Sequence, residues 1–138
     1  MTSKNLGATD ILGAVDREIR PVQVPEWGGA VHVRSMSGAE RDAWEEEQLA
    51  RSREGEKDGD KDRDLRDFRA RFLVRCICDE KGELLFAPKD AEDLSKRNGR
   101  ALDRLYAVAQ ILNGLSKQDE AEILGNSAGG RSSASGTA

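Results

Sequence analysis

The carboxylates at Asp58, Asp60 and Asp62, in the run DGDKDR, are the first residues whose spacing suggests chemistry. Oxygen ligands at alternate positions open an EF-hand calcium loop, which also needs glycine at its sixth position and a bidentate glutamate at its twelfth. Here those positions hold Arg63 and Arg69, placing cations where the ion needs oxygen, so the run reads as solvated charge. A structural zinc site takes about four nitrogen or sulfur ligands, and His32, Cys76 and Cys78 are all the histidine and cysteine present. The two cysteines, two positions apart, are poorly placed for a mutual disulfide and read as reduced packing residues. His32 alternates with Val31 and Val33 and reads as an exposed strand residue. No G-x-S-x-G elbow or phosphate loop occurs. Carboxylates are plentiful, but none stands in an apolar setting that would tune it for proton transfer. The residues therefore point away from an enzyme and offer no catalytic, cofactor-binding or metal-ligating set.

The elements that would position any site are limited by length and composition. A chain of 138 residues has room for one ordinary core. Leu, Ile, Val and Phe together number 28, about a fifth of the chain, which is close to the level at which chains stop folding throughout. Charged residues make up 35%, with 22 basic against 26 acidic, a net charge of −4. A general nucleic-acid binder shows a basic excess instead. No window has the apolar length of a membrane span, and residues 1–20 lack the apolar core of a signal peptide. The expectation is a soluble cytosolic protein with neither nucleic acid nor membrane as partner.

Along the chain, Asp10 could cap a short helix through Ile11, Leu12, Val15 and Ile19; otherwise residues 1–19 form a flexible segment. Val22 and Val24, then Val31 and Val33, alternate about a Pro25 and Gly29 break, a β-hairpin pattern. Ser37 and Glu40 form a capping box, predicting a helix from about residue 37 through Trp44 to about residue 50. Residues 51–63 are charged and have little to bury, and read as a mobile connection. Leu65, Phe68, Phe72, Leu73, Cys76 and Ile77 recur at helical spacing. A helix is favoured there over a β-hairpin through the turn at Gly82, with a short strand at 84–86. Pro88 and Asp90 open a short helix through Leu94, and Asn98 and Gly99 are read as its stop. From Arg100 a long helix aligns Leu102, Leu105, Val108, Ala109 and Leu112. Ser116 opens a last short helix to about residue 124, and 125–138 is a Gly/Ser/Ala-rich disordered tail. The predicted fold class is α+β, mainly α: one domain over 20–124, with an N-terminal β-hairpin beside four or five short helices.

Three stretches in this order, VPEWGGAVHVRSMSGAERDAWE, RFLVRCICDEKGELLFAPKDAEDLSKRN and LDRLYAVAQILNGLSKQDEAEILGNS, resemble the tail assembly chaperones of long-tailed bacteriophages and prophages. The resemblance spans roughly residues 20–127. It implies a non-enzymatic protein without cofactors that binds the tape-measure protein, keeps it soluble and helps recruit the major tail-tube protein. It also implies action in the host bacterial cytoplasm and absence from the mature virion; self-association is compatible with that role.

The resemblance transfers no residue-level partner motif, so candidate contacts come from pattern alone: Leu105, Val108, Leu112 and Leu115 on the long helix, with Trp44 as an exposed aromatic anchor. Trp27, Phe68 and Phe72 are assigned to the core. Two other classes fit less well. One is a structural head-tail or tail-completion component of the virion. The other is a small DNA-binding regulator, for which Arg97, Arg100 and Arg104 could begin a basic recognition face.

Overall fold

The computed structural model describes residues 4–115 except residue 64. The final short helix and tail expected beyond residue 115 lie outside the described residues. The fold is α+β and mainly helical, with a three-stranded antiparallel sheet and five α-helices among the described residues.

The hairpin forms as its alternation predicts. Strand β1 (Ile19–Val24) pairs with β2 (Gly29–Arg34) from Ile19 opposite Arg34 to Val24 opposite Gly29. Val22, Val24 and Val33 enter the core. The chain reverses through a 3-10 turn, Pro25–Trp27, and Gly28 at φ 78°, a conformation glycine adopts without a Cβ clash. Before it, the short helix α1 (Ala8–Leu12) buries nothing, and Asp10 accepts a hydrogen bond from the Gly7 amide. Ile19 belongs to β1 rather than to that helix.

Helix α2 (Gly38–Asp58) starts at the predicted capping box, with the Ser37 hydroxyl and Glu40 carboxylate each accepting a backbone amide. It continues eight residues beyond the expected end near residue 50. Its Arg, Glu and Lys residues are good helix formers, and this half is held by ion pairs rather than burial. Arg63 reaches back to Glu54 and Asp58, and Arg51 donates to the Arg63 carbonyl. The reversal rests on Gly59 at φ 78° and on Gly55, where an added Cβ would stand 2.5 Å from the Asp60 carbonyl oxygen. The run that reads as solvated charge is thus an ordered turn in which Asp58 and Asp60 face arginines. Among the described residues, no group of three or more His, Cys, Asp and Glu side chains could hold a metal ion.

The predicted central helix is shorter than its periodicity suggested. Helix α3 (Phe68–Leu73) ends before Cys76, and Ile77–Cys78 forms strand β3 against His32 and Val33 of β2. The Arg34 amide donates to the Cys76 carbonyl at 2.9 Å. The competing hairpin is also partly realised, since Cys78 bridges Leu84 across a turn at Gly82, φ 93°. Sheet pairing wins because this apolar run of β-formers can complete the edge of β2.

Helix α4 (Ala91–Ser95) follows a 3-10 turn at Pro88–Asp90, and helix α5 (Gly99–Leu112) follows that. Asn98 is not a stop for α4. It caps α5, its side-chain oxygen accepting from the Ala101 amide at 3.0 Å. Helix α3 packs against α4 and α5, and α5 also touches the sheet. Phe72, Leu73, Ile77, Leu105, Val24 and Val33 lie at the centre of one core.

Two polar ties close the fold. Arg34 is buried, donating to the Gly82 carbonyl at 2.9 Å and pairing with Glu40, which joins β2, the start of α2 and the 79–83 turn. Asn113, at the end of α5, accepts from the Met36 amide at 2.7 Å, and its carbonyl accepts from Arg41 at 2.9 Å.

Candidate protein-binding surface

The hairpin tip is pinned to α5. Arg104 grips the Glu26 carboxylate with both terminal nitrogens, at 2.7 and 2.9 Å, the bidentate geometry that gives strong, directional charge-assisted bonds. This hydrogen bonding from Arg104 draws the Glu26 carboxyl down to a pKa of about 2. The clamp fixes the residue next to Glu26, Trp27, which remains 37% exposed.

Trp27 forms one wall of a cleft of about 710 Å³ whose apolar surface also comes from Phe86 and Leu94. Phe86 is half-buried against the core and Leu94 is buried, so the floor is part of the packed interior. Asp90, Asp93, Lys96 and Arg97 complete the lining. Asp90 serves the fold, accepting from the Ala87 amide at 2.8 Å. Asp93, Lys96 and Arg97 make no ion pair among the described residues.

Other titratable groups serve the fold. Burial opposes ionisation of Glu40, but the Ser37 amide with Arg34 and Arg17 holds its carboxyl below the usual range. Burial pushes the Cys76 thiol up to about 12, despite the Asn113 amide donated to its sulfur, and raises Cys78 as well. Thiols so far from ionisation are poor nucleophiles and poor metal ligands.

The family model for phage tail assembly chaperones matches residues 12–123, most of the chain. The chain belongs to the phage tail assembly chaperone family. A solved structure, the bacteriophage HK97 tail assembly chaperone, is similar at 24% identity and a TM-score of 0.49, covering 75% of this chain and 90% of that one. No curated protein matches.

In this tail assembly chaperone the five pattern-derived candidates do not share one surface. Trp44 is 6% exposed, its ring meeting Phe68 and Phe72 edge-on at centroid distances of 5.5 and 5.2 Å. The exposed anchor expected of it is therefore not found, because α3 lays both phenylalanines against the face of α2 that carries it. Leu105 is fully buried. Val108 and Leu112 are half-buried against the core, and Leu115 is exposed just past the helix end. Phe68 and Phe72 pack into the interior as assigned, whereas Trp27 does not.

The pattern missed Phe86, Leu94 and the charges around them as parts of one surface. A hydrophobic residue beside Pro and Gly in a hairpin connection was the available signal for Trp27, but the partner walls come from residues far along the chain. Arg104, offered above as the start of a basic recognition face, is engaged by Glu26.

Other apolar side chains also reach the surface. Leu6, Ile11, Leu12 and Val15 line the N-terminal segment, and Leu84 and Leu85 follow the Gly82 turn. Among the described residues no helix is long and apolar enough to cross a membrane.

Proposed function

We propose that this chaperone binds the tape-measure protein of its phage or prophage in the host cytoplasm, keeps it soluble and helps recruit major tail-tube subunits. It acts by contact, without catalysis or a cofactor, and leaves before the virion is complete. The family match over residues 12–123 is the observation that carries this reading. Physical support comes from the apolar side chains left at the surface of an acidic chain. Such surfaces cover apolar stripes on a helical partner that would otherwise associate with one another. At the end of α5, Leu112 with the edge of Val108, and Leu115 just past the helix, make the contact, while Trp44 and Leu105 hold the shape behind it.

Co-expression with the tape-measure protein of the same phage or prophage tests the reading. The expected result is a soluble tape-measure protein that co-purifies with this chain, and purified particles without the chain by mass spectrometry. A tape-measure protein that is equally soluble alone and is not captured would overturn it. Retention in particles would favour a structural tail component.

A further inference from the structure

The cleft beside Trp27 combines three properties: an apolar floor continuous with the core, walls held in place, and unpaired charges of both signs at its edge. We propose that it seats one turn of an amphipathic helix of the tape-measure protein. An apolar side chain of that helix enters between Trp27, Phe86 and Leu94. A basic and an acidic residue one turn apart on the same helix meet Asp93 and the pair Lys96 and Arg97. The inference rests on the chaperone reading above and locates where the partner is gripped.

The walls are pre-organised on both sides. The Glu26 and Arg104 clamp holds the hairpin tip, and the Asp90 carboxylate closes the turn between Phe86 and α4. Ordering cost is thereby met in the free protein, leaving more of the contact energy for binding. Half-exposed tryptophan over an apolar pocket is the composition of an interface anchor.

The charge pattern selects the occupant. Asp93 lies on α4 and Lys96 is the residue that ends it, three positions on and still in helical conformation, which sets acid and base about 5–6 Å apart, with Arg97 next in the turn. A helix carrying opposite charges at i and i+4 presents the same spacing with signs reversed. Arg104 is engaged by Glu26 and Arg69 by Asp103, which leaves Asp93, Lys96 and Arg97 as lining charges free of ion pairs among the described residues. The buried polar atoms without a partner among the described residues are Nε atoms of Arg34, Arg51, Arg63 and Arg75, none of which lines the cleft. A small polar ligand would thus find no buried donor to orient it there, whereas an apolar side chain flanked by surface charges is matched.

The test uses the full chain and the co-expressed tape-measure protein as probe, with Trp27→Ala, Asp93→Lys and the double variant Lys96→Glu, Arg97→Glu. The expected result is a loss of about tenfold or more in affinity for Trp27→Ala and a smaller loss for each charge variant, at unchanged melting temperature. The charge variants are at exposed positions and report on the cleft even if Trp27→Ala misfolds. Capture by wild type that all three variants match would overturn the cleft while leaving the chaperone reading standing. Failure of the wild type itself to capture the protein would overturn both. Sedimentation of the chain alone provides a further check. Self-association abolished by Trp27→Ala, with tape-measure capture intact, would assign the cleft to a second copy and overturn the proposal.

Discussion

Trp27 and Trp44 differ in what their removal would do. Trp44 fills the space between α2 and α3 and packs edge-on against two phenylalanines, themselves edge-on to Tyr106. Trp44→Ala would leave a cavity there, and loss of a large buried aromatic costs about 3–5 kcal/mol. That is a large share of the roughly 5–15 kcal/mol that holds a domain of this size together. Urea titration should show a clearly lowered midpoint, and an unshifted midpoint would contradict the core assignment. Trp27→Ala removes a half-exposed ring and should spare stability while weakening capture. In sequence the two were easily exchanged: Trp44 lies on a helix face with little other apolar material, which suggested exposure, and Trp27 lies beside a valine-rich hairpin, which suggested the core. The deciding neighbours, Phe68 and Phe72 for one and Phe86 and Leu94 for the other, arrive from distant segments.

At the level of elements, local chemistry was legible where it was self-contained. The capping box at Ser37 and Glu40, the alternation of the hairpin valines and the stripe from Leu102 to Leu112 each act within a few residues, and each formed as expected. Failures arose where a distant segment decided. Cys76 and Ile77 stand four residues after Phe72 and Leu73, a helical spacing, yet Ile77 and its neighbour Cys78 join β2, because the open edge of that strand takes their backbone. The second half of α2 lacks an apolar stripe, so nothing in its periodicity announced a helix; its supports are Arg63 and the Gly55 contact. Gly55→Ala tests that support. Alanine favours the helix by about 1 kcal/mol, but its Cβ would strike the Asp60 carbonyl, which lies in the returning backbone. The turn should detach, seen as faster hydrogen exchange at the Asp60 amide, which donates to the Gly55 carbonyl at 2.8 Å, while the melting temperature changes little. Unchanged exchange would show that the reversal does not depend on this close approach.

For the molecule as a whole, the depressed carboxyls share one sign. Glu26 is drawn to about 2 by Arg104, Glu40 is lowered against its burial, Asp60 is lowered by Arg66, and Asp79 by the amides of its own turn. A carboxyl with a lower pKa folded than unfolded contributes stability above its unfolded value, and loses that contribution as pH falls through the folded one. Stability should therefore be nearly flat from neutral pH down to about 4.5, where these groups titrate in the unfolded chain, and decline towards pH 2. Melting temperatures across that range provide the check, and a decline already complete near pH 5 would contradict it. Glu26→Gln should lose much of the bidentate grip at any pH, loosening the hairpin tip without this acid dependence.

The bonds from Asn113 to Met36 and Arg41 have a practical consequence for labelling. They tie the beginning of α2 to the end of α5, and the charged reversal around Lys61, exposed and outside both the core and the Trp27 cleft, lies in the chain between those ties. A flexible peptide inserted in an exposed turn adds a closure cost that grows only logarithmically, by about 0.6 kcal/mol for each doubling of its length. An affinity tag or fluorophore acceptor peptide inserted after Lys61 should leave both melting temperature and partner capture unchanged. Lys61 is thus a handle by which the chaperone could be followed on its partner without touching either chain terminus.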